Sequence, residues 1–141
     1  MAEGQTGCRG MIGLDTNVLI RVFIDDNSDQ VSAARRLVES ASSEGLFVSD
    51  IVLVELVWTL TSRFKASKDA ILDVLDRILD GSPFVLESRQ DVRRATQLFA
   101  AGRADFPDCM IALRGIRFGA AATFSFDRRA VEASLFLPVP V

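Results

Sequence analysis

The stretch MIGLDTNVLIRVF (residues 11–23) runs from a short apolar β-like segment into a helical pattern through one aspartate, Asp15. The same alternation of short β-like runs and longer helical ones continues to the C-terminus, as it does in parallel strands joined by crossover helices. Strand candidates are MIGLD (11–15), LFVS (46–49), FVLE (84–87), AATFS (121–125) and LPVPV (137–141). Four of them are short and apolar, as strands buried in a parallel sheet should be. Pro138 and Pro140 place the last one at a sheet edge or make it an extended tail. Between strands, VSAARRLVESA (31–41) sets apolar residues at 31, 34, 37, 38 and 41, with Arg35, Arg36 and Glu39 outside that stripe. Asp50 or Ser49 can cap a helix through IVLVELVWTLTSRF (51–64), and Ser67 can cap KDAILDVLDRILDG (68–81), which stops at Gly81. Two more helices are expected over 91–101 and 107–118, the second opened by Pro107 and left at Gly119. The fold class is therefore α/β.

Composition narrows the chemistry. The chain has 141 residues, 49% hydrophobic and 25% charged, with a net charge of −3, which suits one folded core and not a disordered chain. It contains no histidine. That excludes a Ser-His-Asp triad, a Cys-His pair and a His-ligated zinc site. Catalysis must then rest on carboxylates, metals or lysine, and the only lysines are Lys65 and Lys68. An acidic balance argues against unaided nucleic-acid binding, but carboxylates that hold divalent cations offer phosphate a local positive charge. Cys8 and Cys109 lie far apart in dissimilar surroundings, so a disulfide is not expected. No apolar run is long enough to span a bilayer and no secretory signal pattern opens the chain, which points to the cytoplasm. Residues 1–10 are small, polar and glycine-rich; they read as a loose leader before a domain over 11–141, with Met11 a plausible alternative start.

Acidic residues stand out at four places along the chain. Asp15 ends the first strand, where ligands of open parallel sheets bind, though it or Asn17 would also cap the helix that follows. Glu55 has Ile51, Val52, Trp58 and Thr59 as its helical neighbours, so no cation on its own helix pairs with it. It must reach solvent, a distant arginine or a metal; the bland alternative is a solvated stripe through Glu55, Thr59 and Ser62. Asp105 and Asp108 flank Phe106-Pro107 at the head of an apolar helix and read equally as N-terminal capping. Asp127 follows AATFS and precedes RRAVEAS, where an aspartate is again a good cap. Several carboxylates converging without histidine or thiolate would form an oxygen-only site for a hard cation, magnesium or manganese.

Taken in order, LDTNVLI (14–20), VSDIVLVELVWTL (48–60), ADFPDCMIA (104–112) and TFSFDRRA (123–130) resemble the PIN-domain nucleases, specifically the VapC-type toxins of bacterial toxin–antitoxin pairs. The resemblance covers residues 11–141. It implies a three-layer α/β/α fold with a short parallel sheet, binding Mg²⁺ or Mn²⁺, and an endoribonuclease that leaves a 5′-phosphate and a 3′-hydroxyl. Carried over by position, Asp15, Glu55, Asp108 and Asp127 become the catalytic and metal-holding acids, with Asp105 a neighbour. Asn17 and Ser125, and less directly Thr16, become residues that orient them. A metal-activated water would attack the phosphodiester. Arg21, Arg63, Arg128 and Arg129 are the candidates for gripping RNA. The implied partners are RNA, a small cognate antitoxin of VapB type, and a second copy of the chain in a homodimer built on apolar helices.

Two other readings compete. A receiver-like phosphoacceptor would need an acidic pair before the end of the first strand and a lysine after a late one, and a haloacid-dehalogenase phosphatase needs D-x-D. Here the motif is D-T-N and no lysine follows Lys68. A non-catalytic PIN-like module that binds RNA or protein is the stronger rival, weighed against by the presence of all four acids.

Overall fold

A computed structural model describes residues 10–26, 28–81, 83–102 and 104–141; of the expected leader, only Gly10 falls among them. The elements in order are β1 (Ile12–Gly13), α1 (Thr16–Phe23), α2 (Asp29–Ala41), β2 (Leu46–Val48), α3 (Asp50–Ser62), α4 (Lys68–Asp80), β3 (Phe84–Leu86), α5 (Arg89–Ala100), α6 (Phe106–Arg117), β4 (Phe124–Ser125), α7 (Arg128–Glu132) and β5 (Leu137–Pro138). All five expected strands are present and every pairing is parallel, β1–β2–β3 in one ladder and β4–β5 in another.

Helix boundaries follow their caps more closely than their apolar stripes. The Ser28 hydroxyl accepts from the Val31 amide and that of Ser88 from the Asp91 amide, so α2 and α5 each start two residues before the expected 31 and 91. Ser49, rather than Asp50, caps α3, taking the Val52 amide at 3.2 Å, and Ser67 caps α4 through Ala70 as expected. The third helix stops at Ser62, short of the expected Phe64. The chain leaves it through Lys65, held in the left-handed region at φ 51, and the Ala66 amide turns back to the Leu60 carbonyl. After α4 the backbone curls so tightly that a Cβ on Gly81 would lie 2.3 Å from the Arg77 carbonyl oxygen. Only glycine fits that turn.

The described residues group into two compact units, one running through Leu56 with Asp76–Glu87 added, the other Val57–Leu75 with Ser88–Val141. In the first, β2 is the central strand and has two buried residues, Leu46 and Val48; Leu14, Leu19, Ile20, Val31, Leu53 and Ile78 are also buried in this unit. The flanking strands β1 and β3 are only partly buried, and so is β4, contrary to the expectation of buried strands, because none of the three has neighbours on both sides of its ladder. Leu37 also departs from its expected stripe and is exposed.

The second unit buries Leu60, Leu75, Val92, Phe106, Cys109 and Met110, and carries a smaller cluster of Ala112, Ala130 and Phe136. Helices α5 and α6 pack against each other. Arg117 donates from Nε and Nη2 to the two carboxylate oxygens of Asp91, at 2.5 and 2.9 Å, a forked pair that ties the end of α6 to the start of α5. Leu137 donates its amide to the Thr123 carbonyl, and Pro138 lies opposite Ser125 in the edge ladder, where its missing N–H costs no bond.

Candidate active site

In the first unit, Thr16 holds two of the predicted acids. Its backbone N–H donates to Asp15 Oδ1 at 2.7 Å and its hydroxyl donates to Glu55 Oε1 at 2.6 Å. Asp15 therefore caps α1, as the structural alternative had it, while remaining exposed at the end of β1. Glu55 meets the requirement set by its apolar neighbours in two ways, since it is exposed and its carboxylate accepts from a hydroxyl brought by another helix. Thr16 itself is buried, so that its hydroxyl has a fixed place to aim from. The proposed solvated stripe fails at Thr59, which is buried; the exposed positions along α3 are Ile51, Glu55, Trp58 and Thr61.

In the second unit, Asp105, Asp108 and Asp127 line one small pocket with Ala104, Arg129 and Ala130. Its volume is about 20 Å³, room for one water or one ion. Asp105 precedes α6 without a side-chain capping bond, so its carboxylate is not used as the capping alternative supposed. Asp127 does cap α7, accepting from Arg129 and Ala130 amides through Oδ1, and its own amide donates to Ser125 Oγ at 2.9 Å. Ser125 thus bonds the backbone of Asp127, not its carboxylate. Burial, then the negative charges of Asp105 and Asp127, push the Asp108 carboxyl above its ordinary value, and Arg129 draws it partly back. Arg129 Nη2 stands 3.9 Å from Asp105 Oδ1.

The remaining predicted residues lie elsewhere. Asn17 and Arg21 line a groove between α1 and α2, where Arg21 is engaged by Asp26 and Gln30. Arg63 lies over the Phe64 ring, and Arg128 lines a shallow pocket with Glu132. Trp58 is 63% exposed and lines a cavity with Lys68, Phe99 and Asp105. The polar residues of this helix drew the expected wet face from Glu55 toward Thr59, whereas the structure turns it from Glu55 toward Trp58.

The oxygen-only donor set suits a hard cation. Among the described residues, no group of three or more acidic or thiol side chains is already arranged to hold a metal ion.

Residues 12–134 match the family model described as "PIN domain". The chain belongs to the PIN-domain family. It is also 30% identical over 118 residues to a VapC ribonuclease of Aquifex aeolicus (strain VF5), covering 82% of this chain and 87% of the relative. The three-layer α/β/α class expected from the sequence is that of this family, and the relative bears out the expected resemblance to VapC-type members. Among the described residues no helix is long and apolar enough to cross a membrane.

Proposed function

We propose that this chain is a divalent-metal-dependent endoribonuclease toxin whose action is neutralised by a small cognate antitoxin. The observation that carries the reading is that Asp105, Asp108 and Asp127 line one small pocket, in a chain similar to a VapC ribonuclease. The resemblance gives Asp15, Glu55, Asp108 and Asp127 as the acids for Mg²⁺ or Mn²⁺, which when bound lowers the pKa of a water and neutralises charge on the scissile phosphate. Thr16 fixes Asp15 and Glu55 through its amide and hydroxyl. Ser125 fixes Asp127 through that residue's amide. Glu55, exposed on α3, would orient the attacking water.

The antitoxin would be of VapB type and would present a basic side chain to the acids; a homodimer and a cytoplasmic setting complete the proposal. Incubation of the purified chain with a mixed RNA pool in Mg²⁺, in Mn²⁺ and in EDTA tests it. Cleavage should require metal and be lost in Asp15→Asn. Cleavage that persists in EDTA and in that variant would overturn the reading. RNA retention without cutting under every condition would favour the non-catalytic binding module.

A further inference from the structure

We propose that the cavity lined by Trp58, Lys68, Phe99, Asp105 and Phe106 is a subsite for one unpaired nucleobase of the RNA; this rests on the nuclease reading above. It lies wholly within the second unit and has a volume of about 300 Å³, the lower end of the range for small-ligand sites. Three observations select a base as its occupant.

The first is the indole of Trp58, 63% exposed at a cavity whose other walls include Val57, Ile71 and Pro107. An exposed aromatic face beside an apolar recess is the platform on which single-stranded bases stack. The second is Asp105, which lines both this cavity and the small acidic pocket. A strand with a phosphodiester at the acids therefore carries its neighbouring nucleotide over the recess. The third is charge. Lys68 is one of only two lysines, and its ammonium stands 5.1 Å from the Phe99 ring centroid in the wall of the cavity. It offers the strand a cation in a chain of net charge −3. An apolar protein segment filling the recess would instead bury the Lys68 ammonium against the Phe99 ring with no acceptor supplied, at a desolvation cost. A base supplies polar partners: its exocyclic amine donates to the Asp105 carboxylate, as cytosine N4 does to acidic side chains, while uracil has no amine there.

Trp58 is the only tryptophan, so its fluorescence reports on this cavity alone. The full chain is titrated in EDTA, where no metal-dependent cleavage intervenes, with a short oligocytidylate, an oligouridylate and an abasic ribose-phosphate strand of equal length. Binding to labelled strands is followed in parallel by anisotropy for wild type, Trp58→Ala and Trp58→Phe. Oligocytidylate should quench Trp58 and bind severalfold more tightly than oligouridylate. The abasic strand should not quench. Trp58→Ala should weaken oligocytidylate binding about tenfold and leave abasic binding unchanged, and Trp58→Phe should restore most of the loss. Equal affinity for cytidylate and uridylate would remove Asp105 from base recognition. Absence of quenching, with Trp58→Ala binding like wild type, would overturn the subsite and leave the recess to a protein segment. Cleavage without quenching condemns the subsite alone; quenching without cleavage in Mg²⁺ or Mn²⁺ condemns the nuclease reading alone.

Discussion

Replacing Asp108 by asparagine keeps the shape of the side chain and removes its charge, and without metal this should stabilise the fold. Burial and the neighbouring carboxylates of Asp105 and Asp127 both disfavour the Asp108 anion, and Arg129 only partly compensates. Because Asp108 remains partly open to water, the penalty is screened to about 0.5–1 kcal/mol at neutral pH. In a domain of this size that is a rise in Tm of roughly 2–4 °C for Asp108→Asn. The pH dependence has a definite sign. A carboxyl whose folded pKa is raised adds stability below the unfolded value, and that contribution is lost as pH rises through the folded pKa. The advantage of the variant should thus be full at neutral pH and vanish as the pH falls toward 3.8, the ordinary aspartate value. Thermal unfolding in EDTA at several pH values measures it. Added Mg²⁺ or Mn²⁺ should then raise the Tm of the wild type and do little for the variant, whose cleavage falls roughly a hundredfold or more. A variant less stable than wild type in EDTA at neutral pH, or one stabilised equally by metal, would refute the reasoning.

Three further perturbations separate structure from chemistry. Asp127→Asn should keep the cap on α7 and lose cleavage, whereas Asp127→Ala should lose cleavage and about 1 kcal/mol of stability, read from paired urea melts. Phe106→Ala empties a fully buried position beside Phe99, whose ring centre is 6.5 Å away, and should cost about 3–5 kcal/mol, lowering the urea midpoint. Burial, with Asp108 and Asp105, pushes the Cys109 thiol up to about 11, so alkylation followed by peptide mass analysis should find it unmodified in the native chain near neutral pH and modified after unfolding. Its contribution to stability is whole below 9.0 and disappears as the pH climbs to about 11.

Much of the fold was legible because it rests on local patterns. Each apolar run gave a strand, each strand proved one to three residues shorter than its run, and the parallel pairing followed from the helices between them. Apolar periodicity located α2 and α5 but not their starts, since Ser28 and Ser88 act three residues ahead of the amides they cap. The candidate acids were legible as residue types at strand ends and helix heads. What each one touches was not. The Thr16 bond to Glu55 joins residues 39 apart in sequence, and Arg129 meets Asp105 only through tertiary structure. The exposure of Trp58 was illegible for another reason: Thr59 drew the expected wet face of α3 to one side of Glu55, and Thr59 is buried while Trp58 on the other side is open.

Capping and metal holding looked like rival explanations of the same aspartates, and the geometry shows why they need not compete. Asp15 uses Oδ1 for the Thr16 amide, and Asp127 uses Oδ1 for the amides of Arg129 and Ala130. An ionised carboxylate has a second oxygen with its own lone pairs. The cap fixes the rotamer at the cost of one oxygen, and in doing so orders the other before any ion arrives. Asp105, which makes no side-chain cap bond, lacks that preorganisation and has Arg129 near it instead. The division predicts different costs for a single class of substitution. Asparagine at 15 or 127 should spare the fold and abolish chemistry, because an amide oxygen can still cap but no longer brings a charge. Asparagine at 105 should disturb neither helix and only shift the balance of charge around Asp108. Cleavage and thermal unfolding measured side by side would tell these apart, and loss of the fold in Asp15→Asn or Asp127→Asn would refute the shared use of one carboxylate for both roles.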